Sequence, residues 1–125
     1  MARVTSMSDD LPEPAGPYSH AVGDSTTVYS SGQGGASADG TLSSDVSEQC
    51  TQCFANVLGA LAAGGAAETD VVKITVYLTD TSHFADMNRA YAAAFSHPYP
   101  ARTTVYVTLP PGMAIEVDAI AIIKE

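Results

Sequence analysis

Thr103-Thr104-Val105-Tyr106-Val107-Thr108, then Pro110-Pro111-Gly112, then Ile115-Glu116-Val117-Asp118-Ala119-Ile120-Ala121-Ile122-Ile123, reads as two strands joined by a turn. β-Branched and aromatic residues crowd both runs, and such side chains suit a pleated, half-buried surface. Proline and glycine supply the turn between them. Side chains alternate along a strand. Arg102, Thr104, Tyr106 and Thr108 therefore share one face, and Thr103, Val105 and Val107 share the other. In the last strand Glu116, Asp118, Ile120 and Ile122 fall together. An acid set among valine and isoleucine needs a partner or a ligand, because burying it alone is costly. Arg102, at the start of its strand, offers a rigid and always-charged fork that fits a carboxylate. A cation and a carboxylate in half-apolar surroundings suggest a small acid held and hydrolysed.

Working outward, Thr26–Ser31 is a strand that ends at Gly32-Gln33-Gly34-Gly35, a loop running to Gly40. Asp45-Val46-Ser47-Glu48 is a capping box. After it Val46, Cys50, Cys53, Phe54, Val57, Leu58 and Leu61 recur at helical spacing until Gly64-Gly65 stops the helix. Asp70–Thr79 is a strand. A second helix is predicted over about 82–95, with Phe84, Met87, Tyr91 and Phe95 on one stripe and Pro98 and Pro100 beyond it. A further short strand is possible near Val4. This order fits an α+β fold with two helices packed on one face of a mixed sheet. The other sheet face is expected to be apolar and to be covered by oligomerisation.

Composition bounds the function. The 125 residues form one expected domain, 1–125, with 46% hydrophobic and only 15% charged residues. Many surface positions must then be Ala, Ser, Thr and Gly, which suits a quiet surface or one partly hidden in an oligomer. The net charge of −9 repels phosphate backbones, and no basic cluster offsets it, so nucleic-acid binding is not expected. No apolar run approaches a membrane span. The polar, acidic N-terminal stretch does not read as a signal peptide, and a cytoplasmic protein is expected. Cys50 and Cys53 stand in Cys-x-x-Cys spacing but fall mid-helix with no second pair. They read as small apolar residues rather than a redox pair or zinc site. His20, His83 and His97 show no metal spacing.

Each candidate side chain has two readings. Arg102 lines a pocket or pairs with a surface acid. Asp118 is a base or water-orienting group, or an acid turned to solvent, and Glu116 competes for the same role. Asn88, between Met87 and Tyr91, ties its helix to a loop or touches ligand. Ser31-Gly32-Gln33 offers a hydroxyl and backbone N–H groups at a strand end that suit a carboxylate or carbonyl oxygen. Gly16-Pro17-Tyr18 is a rigid turn that presents an aromatic ring. No Gly-x-Ser-x-Gly elbow exists.

Taken together, Gly16-Pro17-Tyr18-Ser19-His20-Ala21-Val22, Tyr29-Ser30-Ser31-Gly32-Gln33, Asn56-Val57-Leu58, Val72–Leu78, Phe84–Tyr91, Tyr99-Pro100-Ala101-Arg102-Thr103 and Ile115–Ala121 resemble the RidA/YjgF family of reactive enamine/imine deaminases. The segments occur in family order over nearly the whole chain. The resemblance implies a chorismate-mutase-like fold, a homotrimer with a central β-barrel, and sites in the clefts between subunits. It implies hydrolysis of 2-imino acids, such as those formed from 2-aminoacrylate, to 2-keto acids and ammonia, without metal or cofactor. Arg102 then grips the substrate carboxylate, and Tyr18, Ser31, Gly32 and Asn88 match pocket positions. The family's water-activating glutamate is placed on Asp118, one methylene shorter. Thr104 stands where a cysteine is common and joins the substrate-binding set. A non-catalytic trimer that binds small carboxylates is the first alternative, and an endoribonuclease is the second.

Overall fold

The computed structural model describes residues 2–124. Its strands are β1 (Val4–Ser6), β2 (Ala21–Gly23), β3 (Thr27–Ser30), β4 (Gln33–Gly34), β5 (Val71–Leu78), β6 (Ala101–Tyr106) and β7 (Ile115–Ile122), and its helices are α1 (Val46–Ala63) and α2 (Phe84–Ala94). The strands form one sheet in the order β1-β2-β3-β7-β5-β6, with β4 also paired to β7. Among the described strands only β5 and β6 are parallel, joined by the α2 crossover. The fold is α+β, as expected. The short β1 lies near Val4, whereas β2 and β4 carry no sequence signal of their own.

Helix α1 starts where the capping signal places it. The Asp45 carboxylate accepts from the N–H groups of Ser47 and Glu48 at 2.8 and 3.2 Å. The reciprocal half of the box differs from expectation. Asp45 N–H donates to the Ser43 hydroxyl at 3.0 Å, and that hydroxyl donates to Glu48 at 2.6 Å. Serine at 43 intercepts the glutamate that would otherwise reach back to the cap. The helix ends as Gly65 turns with φ +95°, which glycine adopts without steric cost.

Both helices cover one sheet face. Val71, Ile74, Val76 and Leu78 of β5 and Ile115, Val117, Ala119 and Ala121 of β7 point toward them and are buried. Phe54 of α1 meets Tyr91 and Phe95 edge-on, with ring centroids 5.5 and 5.8 Å away, and locks α1 to α2. Each fully buried large side chain such as Phe54, Leu61 or Ile74 contributes roughly 1.5–3 kcal/mol.

The other face is open and mixed, not apolar as the sequence suggested. Period-two alternation sends the apolar half of β7 to the core and leaves Glu116, Asp118, Ile120 and Ile122 outward. Lys73, Thr75, Tyr77, Thr103 and Val105 join them across the ladder. Tyr29 and Ile122 remain about half exposed there.

Candidate functional site

The sequence-predicted residues gather into two groups on opposite faces of the sheet. Arg102 pairs in parallel register with Ile74, and Ile74 faces the helices. Its guanidinium lies over the Tyr91 ring at 4.8 Å and 5.8 Å from the Phe84 centroid. It also donates to the Met87 sulfur at 3.6 Å. A half-buried cation is satisfied here by aromatic faces and a thioether. Among the described residues the ion pairs are Arg89–Asp86 and Lys124–Asp70, so no carboxylate pairs with Arg102. Arg102 lines an open cleft of about 310 Å³ with Asn88, Tyr91, Ala92, Tyr99 and Pro100. Asn88 does not tie α2 to a loop. It stands half-buried at the cleft, with no hydrogen bond through its amide among the described residues. Thr104 follows Arg102 on the same strand face and is half-buried. Thr108 falls beyond the end of β6, so the polar face is one residue pair shorter than the sequence pattern suggests.

The second group surrounds Gly32. A Cβ built on Gly32 would stand 2.1 Å from Glu116 Oε1 and 3.0 Å from its Cδ, so the carboxyl group packs directly on the glycine. Burial pushes the Glu116 carboxyl above its ordinary value, and the neighbouring Asp118 charge adds to this. Asp118 is differently employed. It accepts a 2.9 Å hydrogen bond from the Tyr77 hydroxyl, and that bond is the main reason the Tyr77 phenol is pushed up. The strand register expected from sequence is correct, since both acids share the open face. Their surroundings differ: Glu116 meets a bare glycine backbone, whereas Asp118 meets a tyrosine.

Ser31 is tied down, its hydroxyl donating to the Ser19 carbonyl while its N–H donates to the His20 carbonyl. Tyr18 folds back on its own turn, its hydroxyl accepting from Ala15 N–H at 3.1 Å. Its ring lines a recess of about 260 Å³ with Gly32, Gly34, Leu42 and Met113. His20 is buried. Its Nδ1 accepts from Ser8 N–H at 3.0 Å and its Nε2 faces the Pro12 carbonyl at 2.8 Å, which pins the N-terminal segment beside this recess. Two polar networks thus shape the glycine loop from behind and from the chain's start.

The residues behind the loop have no loud sequence signature. Asn56 of α1 is buried, and its amide donates to the carbonyls of Gly34 and Ala36 at 2.9 and 2.7 Å. Cys53 donates to the Gln33 carbonyl at 3.0 Å. Gln49 donates to Ser43 and Gly112 and accepts from Ala114 N–H. Gly35 lets this loop touch α1, because a Cβ there would stand 2.4 Å from the Gln49 carbonyl. The signal for these roles was the run of polar residues at 49, 52 and 56 on an otherwise apolar helix face. Such buried polar groups must find partners. Burial pushes the Cys50 thiol up to about 11 and raises the Cys53 thiol as well, so neither is a reactive thiolate. Among the described residues no three His, Cys, Asp or Glu side chains converge as metal ligands, and no helix is long and apolar enough to cross a membrane.

Comparison with known proteins is consistent across sequence and structure. The family model described as Endoribonuclease L-PSP matches residues 8–123. A RutC family protein of Pyrococcus abyssi is 36% identical over 97% of this chain and 98% of its own length. The 2-iminobutanoate/2-iminopropanoate deaminase of Homo sapiens is 40% identical over 89% of this chain and 83% of its own. The crystal structure of RidA from the Antarctic bacterium Psychrobacter sp. superposes with a TM-score of 0.91 at 40% identity, covering 96% of this chain and 99% of the other. The chain belongs to the Endoribonuclease L-PSP family, which is the RidA/YjgF family it resembles in sequence.

Proposed function

We propose that the protein hydrolyses small 2-imino acids to 2-keto acids and ammonia. The observation that carries this reading is Arg102: a half-buried cation at a cleft, beside Asn88, with no carboxylate paired to it and no hydrogen bond to the Asn88 amide among the described residues. A site that keeps a guanidinium fork free for an outside carboxylate suits a 2-imino acid. The human relative named a 2-iminobutanoate/2-iminopropanoate deaminase supports the same class. An imine carbon is already electrophilic, so the protein's task is to hold the acid and orient water, and orientation alone removes much of a barrier.

Of the two acids, the surroundings favour Glu116 as the group that activates water. Its carboxyl is desolvated and raised above its ordinary value, which suits a base, whereas Asp118 is engaged by Tyr77. Asp118 then acts from behind, holding Tyr77 on the open face beside Glu116. Gly32 leaves the space that Glu116 occupies, and Tyr18 and Ser31 shape the adjoining turn. Arg102 and Glu116 project from opposite faces of one sheet, so a single chain does not complete the site. We therefore propose a homotrimer in which the open faces close a central barrel and the Arg102 edge of one copy meets the Gly32–Glu116 side of the next. Thr104 and Asn88 line the substrate from the Arg102 side. No cofactor enters this scheme.

The test is 2-keto acid release from 2-imino acids generated in situ by an amino-acid oxidase or dehydratase. Release should accelerate with the parent protein and not with Arg102→Ala. Tight carboxylate binding without acceleration favours the non-catalytic carboxylate binder instead. The ribonuclease reading is disfavoured by the −9 net charge.

A further inference from the structure

Tyr91 is 5% exposed, yet its hydroxyl makes no hydrogen bond to any of the described residues. Among the described residues it is the one buried side-chain oxygen or nitrogen left so. An unbonded buried hydroxyl is a cost that phenylalanine would avoid, since the ring alone supplies the contacts with Phe54 at 5.5 Å and Phe95 at 4.7 Å. The ring is also where the core meets the candidate site. Arg102 covers its face at 4.8 Å, and Tyr99 stands against it at 5.9 Å. All three line the same cleft with Asn88.

We propose that the Tyr91 hydroxyl is a ligand-binding donor that supplies a further hydrogen bond to the carboxylate held by Arg102. This rests on reading Arg102 as the carboxylate-binding residue. The guanidinium lies on the ring face, and the hydroxyl at the ring's end is shut from solvent. A carboxylate that takes the guanidinium fork draws it off the ring and brings an acceptor to the hydroxyl. The aromatic face gives Arg102 a resting place, and the hydroxyl gains its partner only when an acid is bound. Burial pushes the Tyr91 phenol up more than the Arg102 charge lowers it, so the proton to be donated is retained at neutral pH. The recognised group is a planar carboxylate able to bridge a guanidinium and a phenol, as in a 2-imino or 2-keto acid. Neutral amides of the same skeleton lose both contacts in their charged form and are expected to bind poorly.

The test uses Tyr91→Phe, which keeps the ring and removes one oxygen. Binding of 2-oxobutanoate to the parent and to Y91F is measured by calorimetry, alongside urea unfolding of both. Y91F should bind about tenfold more weakly and be as stable as the parent or more so. Equal affinity in Y91F overturns the proposal. A marked loss of stability overturns it too, because the hydroxyl would then have a structural partner. A parent protein that binds no 2-oxobutanoate likewise overturns it. Imine turnover is assayed separately: its absence with Tyr91-dependent binding intact removes the deaminase reading and leaves this assignment standing.

Discussion

Gly32→Ala separates the site's chemistry from the fold. The added Cβ would stand 2.1 Å from Glu116 Oε1 and 3.3 Å from its Cγ. Ordinary contact begins near 3.5 Å, so the carboxyl oxygen must retreat by about 1.4 Å or rotate away. Gly32 does not need a left-handed φ, which occurs only at Gly40, Gly65 and Gly112 among the described residues, so alanine fits its backbone. The atom struck is the far end of a flexible side chain, and restricting the unfolded chain returns roughly 0.4–1 kcal/mol. The net stability change should therefore stay within about 1 kcal/mol. A displacement of about 1 Å at a reacting group can cost ~100-fold in rate. The assay pairs urea unfolding with kcat for 2-keto acid release. The expected result is an unchanged midpoint with kcat lower by ~100-fold. An alanine variant with parental kcat would refute the assignment of Glu116 and return the role to Asp118.

Other perturbations test separate parts of the account. Arg102→Lys keeps charge but loses the fork and the stacking on Tyr91, so affinity for 2-oxobutanoate should fall by about 10- to 100-fold in calorimetry. Asn56→Ala removes two donors from the Gly34 and Ala36 carbonyls in a buried place and should cost about 2–4 kcal/mol in urea unfolding. Glu116→Gln tests the raised carboxyl through pH. The folded state holds a proton more tightly than the unfolded state, so parental stability falls as pH rises from about 4.5 through the raised folded value. Gln abolishes that decline, so the variant should gain on the parent at neutral pH and lose the advantage below pH ~4.5. Tyr77→Phe removes the hydroxyl that engages Asp118, and kcat for 2-keto acid release should fall.

The sequence carried the two helices and the long strands because these elements are written in local signals. The Asp45 cap, the glycines at 64 and 65 and the β-branched run 71–78 each act within a few residues. Strands β2 and β4 were not legible, since Ala21–Gly23 and Gln33–Gly34 are held by partners far along the chain. The same limit applied to the site. Alternation correctly grouped Glu116 with Asp118 but could not rank them. What distinguishes them is Gly32, brought beside Glu116 by the pairing of Gly34 with Glu116, and Tyr77, brought beside Asp118 by β5. The sequence sets Arg102 and Asp118 to one purpose, yet parity on two different strands sends them to opposite faces. Asn56 was visible as part of a resemblance, while its work of holding two loop carbonyls needed the packed helix.

The proposed deaminase site joins the Arg102 side of one copy to the Glu116 side of another. Arg102→Ala and Glu116→Gln chains, differently tagged, can be produced together in equal amounts and the mixed oligomers purified through both tags. Each variant alone should release almost no 2-keto acid. Random assortment places an intact Arg102 opposite an intact Glu116 in about a quarter of sites, so the mixture before tag selection should recover about a quarter of the parental rate. Mixed oligomers as inactive as the single variants would contradict the account, because the two halves would then have to come from one chain.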